Sequence, residues 1–195
     1  MPIPEPYKSI LESNIGLVKS DSDVKAFVEK CFSDLLVKLG KNLGFQSRAK
    51  KTGDMFELLF DYLMEHKYKV KFSKCVPIKK ACMLGSGALD FGIMKNGKLL
   101  CGIEAKGSAE VVDGIRLPRP ALKRTDTMKK AISQAYQFKR VFPKTPFYIV
   151  TNVKPKNGNA ECMMNLAEGD IVDKFIDITN PKELQEFLNK VKPLM

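Results

Sequence analysis

A single histidine, His66, stands in 195 residues, and the five cysteines (Cys31, Cys75, Cys82, Cys101 and Cys162) form no C-x-x-C pair. Both absences exclude chemistry. Histidine-based acid–base work and a Ser-His-Asp arrangement lack their material, and zinc lacks its usual ligands. An odd, scattered set of thiols predicts reduced interior residues of a cytoplasmic protein, not a disulfide framework. No charged start followed by an apolar stretch marks a signal peptide, and no apolar run approaches the ~20 residues that span a bilayer. No membrane partner is therefore expected. Internal repeats, low-complexity tracts and an ATP-binding motif are also missing, so no nucleotide cofactor is expected.

Positive charge is in excess. Lys and Arg number 33 against 22 Asp and Glu, a formal net charge of +11, with a pI near 9.4. Clustered Lys and Arg bind phosphates and release counterions, which points to a polyanionic partner. Lysine supplies 28 of the 33 basic residues, and a merely solvated lysine-rich surface accounts for the same number. At 44% apolar residues the chain is long enough for one domain with its own core.

The stretch Gly85 to Ser108 (GSGALDFGIMKNGKLLCGIEAKGS) is the most informative. Two apolar, β-prone runs flank Asn96-Gly97, a strong hairpin signal. Asp90, Glu104 and Lys106 interrupt runs that otherwise suit a buried sheet, where an ionised side chain is costly unless paired or bound to metal. A plain two-residue turn pairs Asp90 with Ile103 and puts the two carboxylates on opposite faces. An odd-length loop, Lys95-Asn96-Gly97 with Gly97 left-handed, or a bulge, shifts the register by one. Asp90, Glu104 and Lys106 then share a face, and Leu89, Phe91, Ile103 and Ala105 turn to a core. Such an arrangement suits Mg²⁺, which takes one or two carboxylates plus waters and phosphate oxygens, while the lysine adds a point charge.

Around the hairpin the chain reads as alternating elements. Residues 1–20 are expected to be an irregular arm leading into a short helix at Tyr7 to Asn14. The spacing Val24, Phe27, Val28, Cys31, Leu35, Leu39 predicts a helix ending near Gly40 or Gly44, with a basic connector from Lys41 to Lys51. Thr52 reads as the cap of a helix over Gly53 to His66. The acids of that helix, Asp54, Glu57, Asp61 and Glu65, fall on one stripe, which is either its wet side or, at Glu57, a lean toward the hairpin. Tyr68 to Cys75 alternates as a half-exposed strand does. A long irregular connection follows the hairpin and carries three of the five arginines, Arg116, Arg119 and Arg124, beside Lys123. Arginine forks read guanine edges while lysines serve phosphates, so these four are candidate DNA contacts, with a solvated basic loop as the plainer reading. A helix over Thr125 to Phe142, a buried strand over Pro146 to Thr151, a short helix over Ala160 to Glu168 and a strand over Lys174 to Ile178 come next. The polar loop after the buried strand offers Asn152, Lys154, Lys156 and Asn157 to a duplex. Asn180-Pro181-Lys182-Glu183 caps a final helix.

Asp90 in one strand followed by Glu104-Ala105-Lys106 in the next resembles the signature of the PD-(D/E)xK nuclease superfamily, with Leu89 where the proline stands. GDMFE, at Gly53 to Glu57, is similar to the opening of the first helix in many of those nucleases, and QAYQF, at Gln134 to Phe138, to the helix after their E-x-K strand. The element order α, β, β-β, α, β over residues 52–180 matches their αβββαβ core. The resemblance implies an α/β (α+β) single domain with a mixed central sheet flanked by helices. Residues 1–51 precede the catalytic core as an arm and helix, and 181–195 form a C-terminal helix. It further implies Mg²⁺, with Mn²⁺ as a substitute, held by Asp90, Glu104 and the Ala105 carbonyl, with Glu57 as a further ligand and Lys106 aligning the nucleophile or stabilising charge on phosphorus. The implied substrate is double-stranded DNA, cut by a homodimer similar to a small type II restriction endonuclease. A Holliday-junction resolvase and a non-catalytic DNA-binding module of the same fold are the alternatives.

Overall fold

The computed structural model describes residues 3–39, 44–112, 115–116 and 119–195. Its order is α1 (Tyr7–Asn14), α2 (Val24–Leu39), α3 (Phe45–Tyr68), β1 (Ser73–Val76), β2 (Leu89–Lys95), β3 (Lys98–Ala105), β4 (Val111–Val112), β5 (Ile115–Arg116), α4 (Thr125–Val141), β6 (Phe147–Thr151), α5 (Gly158–Ala167), β7 (Lys174–Asp177) and α6 (Pro181–Val191). Five strands form one mixed sheet in the order β1-β2-β3-β6-β7. β1, β2 and β3 run antiparallel, and β3, β6 and β7 parallel. The chain is an α+β single domain with helices on both faces of that sheet. No helix among the described residues is long and apolar enough to cross a membrane.

Side-chain alternation on β6 sorts the two layers. Tyr148 and Val150 join Phe91, Ile93, Ile103 and Ile176 against α1, α2, α3 and α6. Phe147 and Ile149 join Phe175 against α4 and α5, through Met128, Ala131, Ala135, Phe138 and Met164. A strand buried on both faces reads as an unbroken apolar run, as β6 does. α6 starts where expected, the Asn180 side chain accepting from the Lys182 and Glu183 amides at 3.0 and 3.5 Å.

Several expectations need correction. The helix expected at Tyr7 to Asn14 is present with those bounds, but it is no part of an irregular arm: Tyr7, Ile10 and Leu11 are buried in the core. Thr52 is not a cap, because α3 begins eight residues earlier in sequence than Gly53, at Phe45 behind Gly44, and carries Thr52 buried in its interior. Tertiary burial outweighs the capping preference of Thr and the low helix propensity of Gly53. The expected helix stop at Gly40 and the start of the basic connector lie outside the described residues. β1 is shorter than the alternating pattern, starting at Ser73. Leu89 does not share a core with Phe91. At the start of β2 it packs with Ile78, Ala81 and Met83, in the layer that includes α4.

The hairpin register decides the site. Asn96 and Gly97 both take positive φ, +51° and +75°. Lys95 pairs with Lys98 across them. This is the two-residue turn, not the three-residue loop. The register shift comes instead from a bulge: Met94 pairs with Leu99 but Ile93 with Cys101, leaving Leu100 as the extra residue. Phe91 therefore lies opposite Ile103. One step further along the ladder, Asp90 comes across from Glu104.

Candidate active site

β2, β3 and the first residue beyond β3 bring the three charged groups together. Asp90 Oδ2 accepts from the Ala105 amide at 2.8 Å and lies 3.4 Å from Lys106 Nζ. The same ammonium donates to Glu104 Oε1 in a short contact and to the Ala105 carbonyl at 3.2 Å. Side-chain exposure falls from 20% at Lys106 and 17% at Asp90 to 1% at Glu104. The second Glu104 oxygen, Oε2, is buried with no hydrogen-bond partner. An unsatisfied buried carboxylate oxygen is rare and calls for an explanation.

Burial, reinforced by the Asp90 charge and opposed by Lys106, pushes Glu104 up to about 8. Burial likewise raises Glu57, on α3, to about 7, Asp90 adding to the shift and Lys106 opposing it. Glu57 thus stands within the field of the hairpin charges. Desolvation disfavours the Lys106 ammonium, but Glu104 and Asp90 outweigh it and hold the group at about 12. Beyond Glu57 the acid stripe divides between a buried and a partly exposed member. Asp61 is buried and paired with Lys74 of β1, and Glu65 meets Lys71 at 3.1 Å. Asp61 thus turns toward β1, while Glu65 stays on the wet side of α3.

The donor set suits a hard divalent cation. Asp90, Glu104 and the Ala105 carbonyl offer oxygens that already converge on one cationic group, and Mg²⁺ binds through one or two carboxylates with water and phosphate completing its shell. Among the described residues no three His, Cys, Asp or Glu side chains gather into a metal cage. A cation here would keep open positions for other oxygens.

Two features with no local sequence signal fix the backbone just beyond Lys106. Phe56 of α3 packs so closely that a Cβ built on Gly107 would lie 2.0 Å from its ring. Ser108 is clamped by Asn152, whose Oδ1 accepts from the Ser108 amide at 3.0 Å and whose Nδ2 donates to the Ser108 carbonyl at 2.9 Å. Asn152 is buried, so this expected DNA contact instead braces the strand exit. No local sequence pattern distinguishes such a clamp from a surface loop asparagine.

The other expected contacts divide into free and engaged groups. Arg116, Arg119, Lys156 and Asn157 are exposed. Lys123 meets Glu110 at 3.0 Å, and Lys154 meets Glu183 at 2.6 Å. Arg124 is held bidentately by Asp126, at 3.0 and 2.7 Å. The Arg116 loop is not wholly irregular, since β4 and β5 pair across it. Arg116 also borders a groove of about 450 Å³ between α2 and the segment leaving the site, lined by Phe32, Leu36, Glu110 and Asn152 among others.

Set against known proteins, the chain matches no family model, no curated protein and no solved structure. Its site is therefore read from its own residues.

Proposed function

We propose that the protein is a metal-dependent deoxyribonuclease that cuts double-stranded DNA, similar in kind to a small type II restriction endonuclease and acting as a homodimer. One observation carries the reading: two carboxylates and an ammonium gathered in a mostly buried sheet, with one carboxylate oxygen unsatisfied. Folding alone does not favour such a cluster, because apolar residues of similar volume do at least as well in most cores. The positive net charge of the chain supports a polyanionic substrate.

In this reading Asp90, Glu104 and the Ala105 carbonyl hold Mg²⁺ or Mn²⁺. The ion supplies Lewis-acid polarisation of a phosphoryl oxygen and a more acidic water. Lys106 aligns the attacking oxygen or stabilises charge gathering on the phosphate. Glu57, within the field of Asp90 and Lys106, is the further ligand in this reading. In this reading exposed Arg119 and Lys156 meet phosphates or base edges.

Incubation of plasmid DNA with the protein and Mg²⁺ tests this. Discrete fragments are expected, and Asp90→Ala or Lys106→Ala should lower cutting by roughly 10³-fold or more while DNA retardation persists. Cleavage confined to four-way junctions would make the protein a resolvase. Retarded but intact DNA would leave it a binding module, and normal turnover in either variant would defeat the assignment of those residues.

A further inference from the structure

We infer that Lys106 is a tethered counter-cation that occupies the metal position in the metal-free protein and must swing out before a divalent ion can enter. The inference rests on the metal-dependent reading above and adds a gate to it. Its basis is geometric. Lys106 Nζ lies 3.4 Å from Asp90 Oδ2, 3.2 Å from the Ala105 carbonyl and in short contact with Glu104 Oε1. These oxygens belong to the three groups that reading assigns to the ion.

The two cations exclude one another. A Mg²⁺ ion sits about 2.0–2.1 Å from its oxygen ligands. An ammonium already within hydrogen-bond reach of the same three oxygens would then lie only a few ångströms from a doubly charged ion, in surroundings where water screens little. A lysine has the means to leave. Its four-carbon stem is flexible, and this one is 20% exposed at the side chain, so a path to solvent exists where buried Glu104 has none. Displacement also has a use. The departing ammonium stays on its tether at the rim of the site, where an incoming phosphate would meet it. Metal entry and delivery of the lysine become one event.

The alternative is a lysine that merely braces the strand end. Mn²⁺ binding to the full-length, DNA-free protein, followed by electron paramagnetic resonance of the free ion at fixed pH, separates the two. Removing the tethered charge in Lys106→Met should tighten Mn²⁺ binding roughly tenfold or more over the unaltered chain. Glu104→Gln should weaken it. Affinity in a folded Lys106→Met no tighter than in the unaltered chain would overturn the gate and leave the metal reading standing. No Mn²⁺ uptake by either protein, with or without DNA, would overturn both.

Should Lys106→Met fail to fold, acetylation footprinting of the unaltered protein decides the matter. The Lys106 amine should react slowly in metal-free protein and several-fold faster at saturating Mn²⁺. An unchanged rate at saturation would overturn the gate.

Discussion

β3 and β6 lie side by side in one sheet, yet they bury opposite kinds of side chain. Glu104 of β3 is in register with Ile149 of β6, and both are essentially inaccessible, at 1% and 0% exposure. One strand is an unbroken apolar run from Phe147 to Val150. Its neighbour places a carboxylate at the same depth and needs Lys106 to compensate it. Because isoleucine fills the adjacent position without difficulty, the sheet itself does not demand a charge there. Buried polar residues that break the local pattern mark sites where function has overridden stability.

The comparison breaks most visibly if the charge is moved. Ile149→Glu would place a carboxylate among Phe147, Phe175 and the apolar face of α4, a layer in which no basic side chain is buried among the described residues. The variant must bury an unpaired charge or a neutral acid without partners, at a cost of about 4 kcal/mol or more. Urea unfolding should show that loss or find no folded protein. A loss below about 1 kcal/mol would mean that this depth tolerates carboxylates generally, and Glu104 would then need no special explanation.

A smaller effect follows from protons. Glu104 and Glu57 are both raised by burial, to about 8 and about 7. In the unfolded chain they titrate near 4.3, so between that pH and about 8 the folded state holds more protons. Their contribution to stability is complete below pH 4 and is lost as pH rises through 7 to 8. Metal-free protein should lose on the order of 5 °C in melting temperature from pH 5.5 to pH 8.5. Glu104→Gln should flatten most of that slope, and Ile149 has no equivalent to offer. A melting temperature that climbs over this range would show the carboxylates ionised and well compensated when buried.

Much of this contrast is legible in the sequence. β6 announces itself because a strand covered on both faces is written in apolar letters alone, α4 by its apolar period and α6 by its Asn180 cap. Asp90, Glu104 and Lys106 stood out as interruptions in apolar runs. Their meeting required a register shift, which the sequence could demand but not locate. Of the two expected devices, an odd-length loop or a bulge, the bulge is the one present: the turn has two residues and the extra one is Leu100. A bulge inside an apolar run has no residue signature, because Leu99, Leu100 and Cys101 each suit a strand. The start of α3 was misjudged for a similar reason: Thr52 and Gly53 look like a boundary locally, and only burial against the core carries the helix through them. The Asn152 clamp depends on two segments 44 residues apart, which no local window contains.

The smallest expected effect asks whether the turn or the bulge sets the register. Asn96 holds φ at +51°, a left-handed conformation that costs alanine more than asparagine. Asn96→Ala should therefore destabilise the hairpin by about 1 kcal/mol. Register, however, is strongly fixed wherever one face is buried, since a slip by one residue would carry Phe91, Ile93, Ile103 and Ala105 out of the core. The strained turn should consequently give way before the bulge does, and Asp90 should remain across from Glu104. Mn²⁺ affinity in Asn96→Ala should equal that of the unaltered chain while the unfolding midpoint falls slightly. Lost affinity with retained fold would mean that the Asn96-Gly97 turn, and not the apolar face of β2 and β3, brings the two carboxylates together.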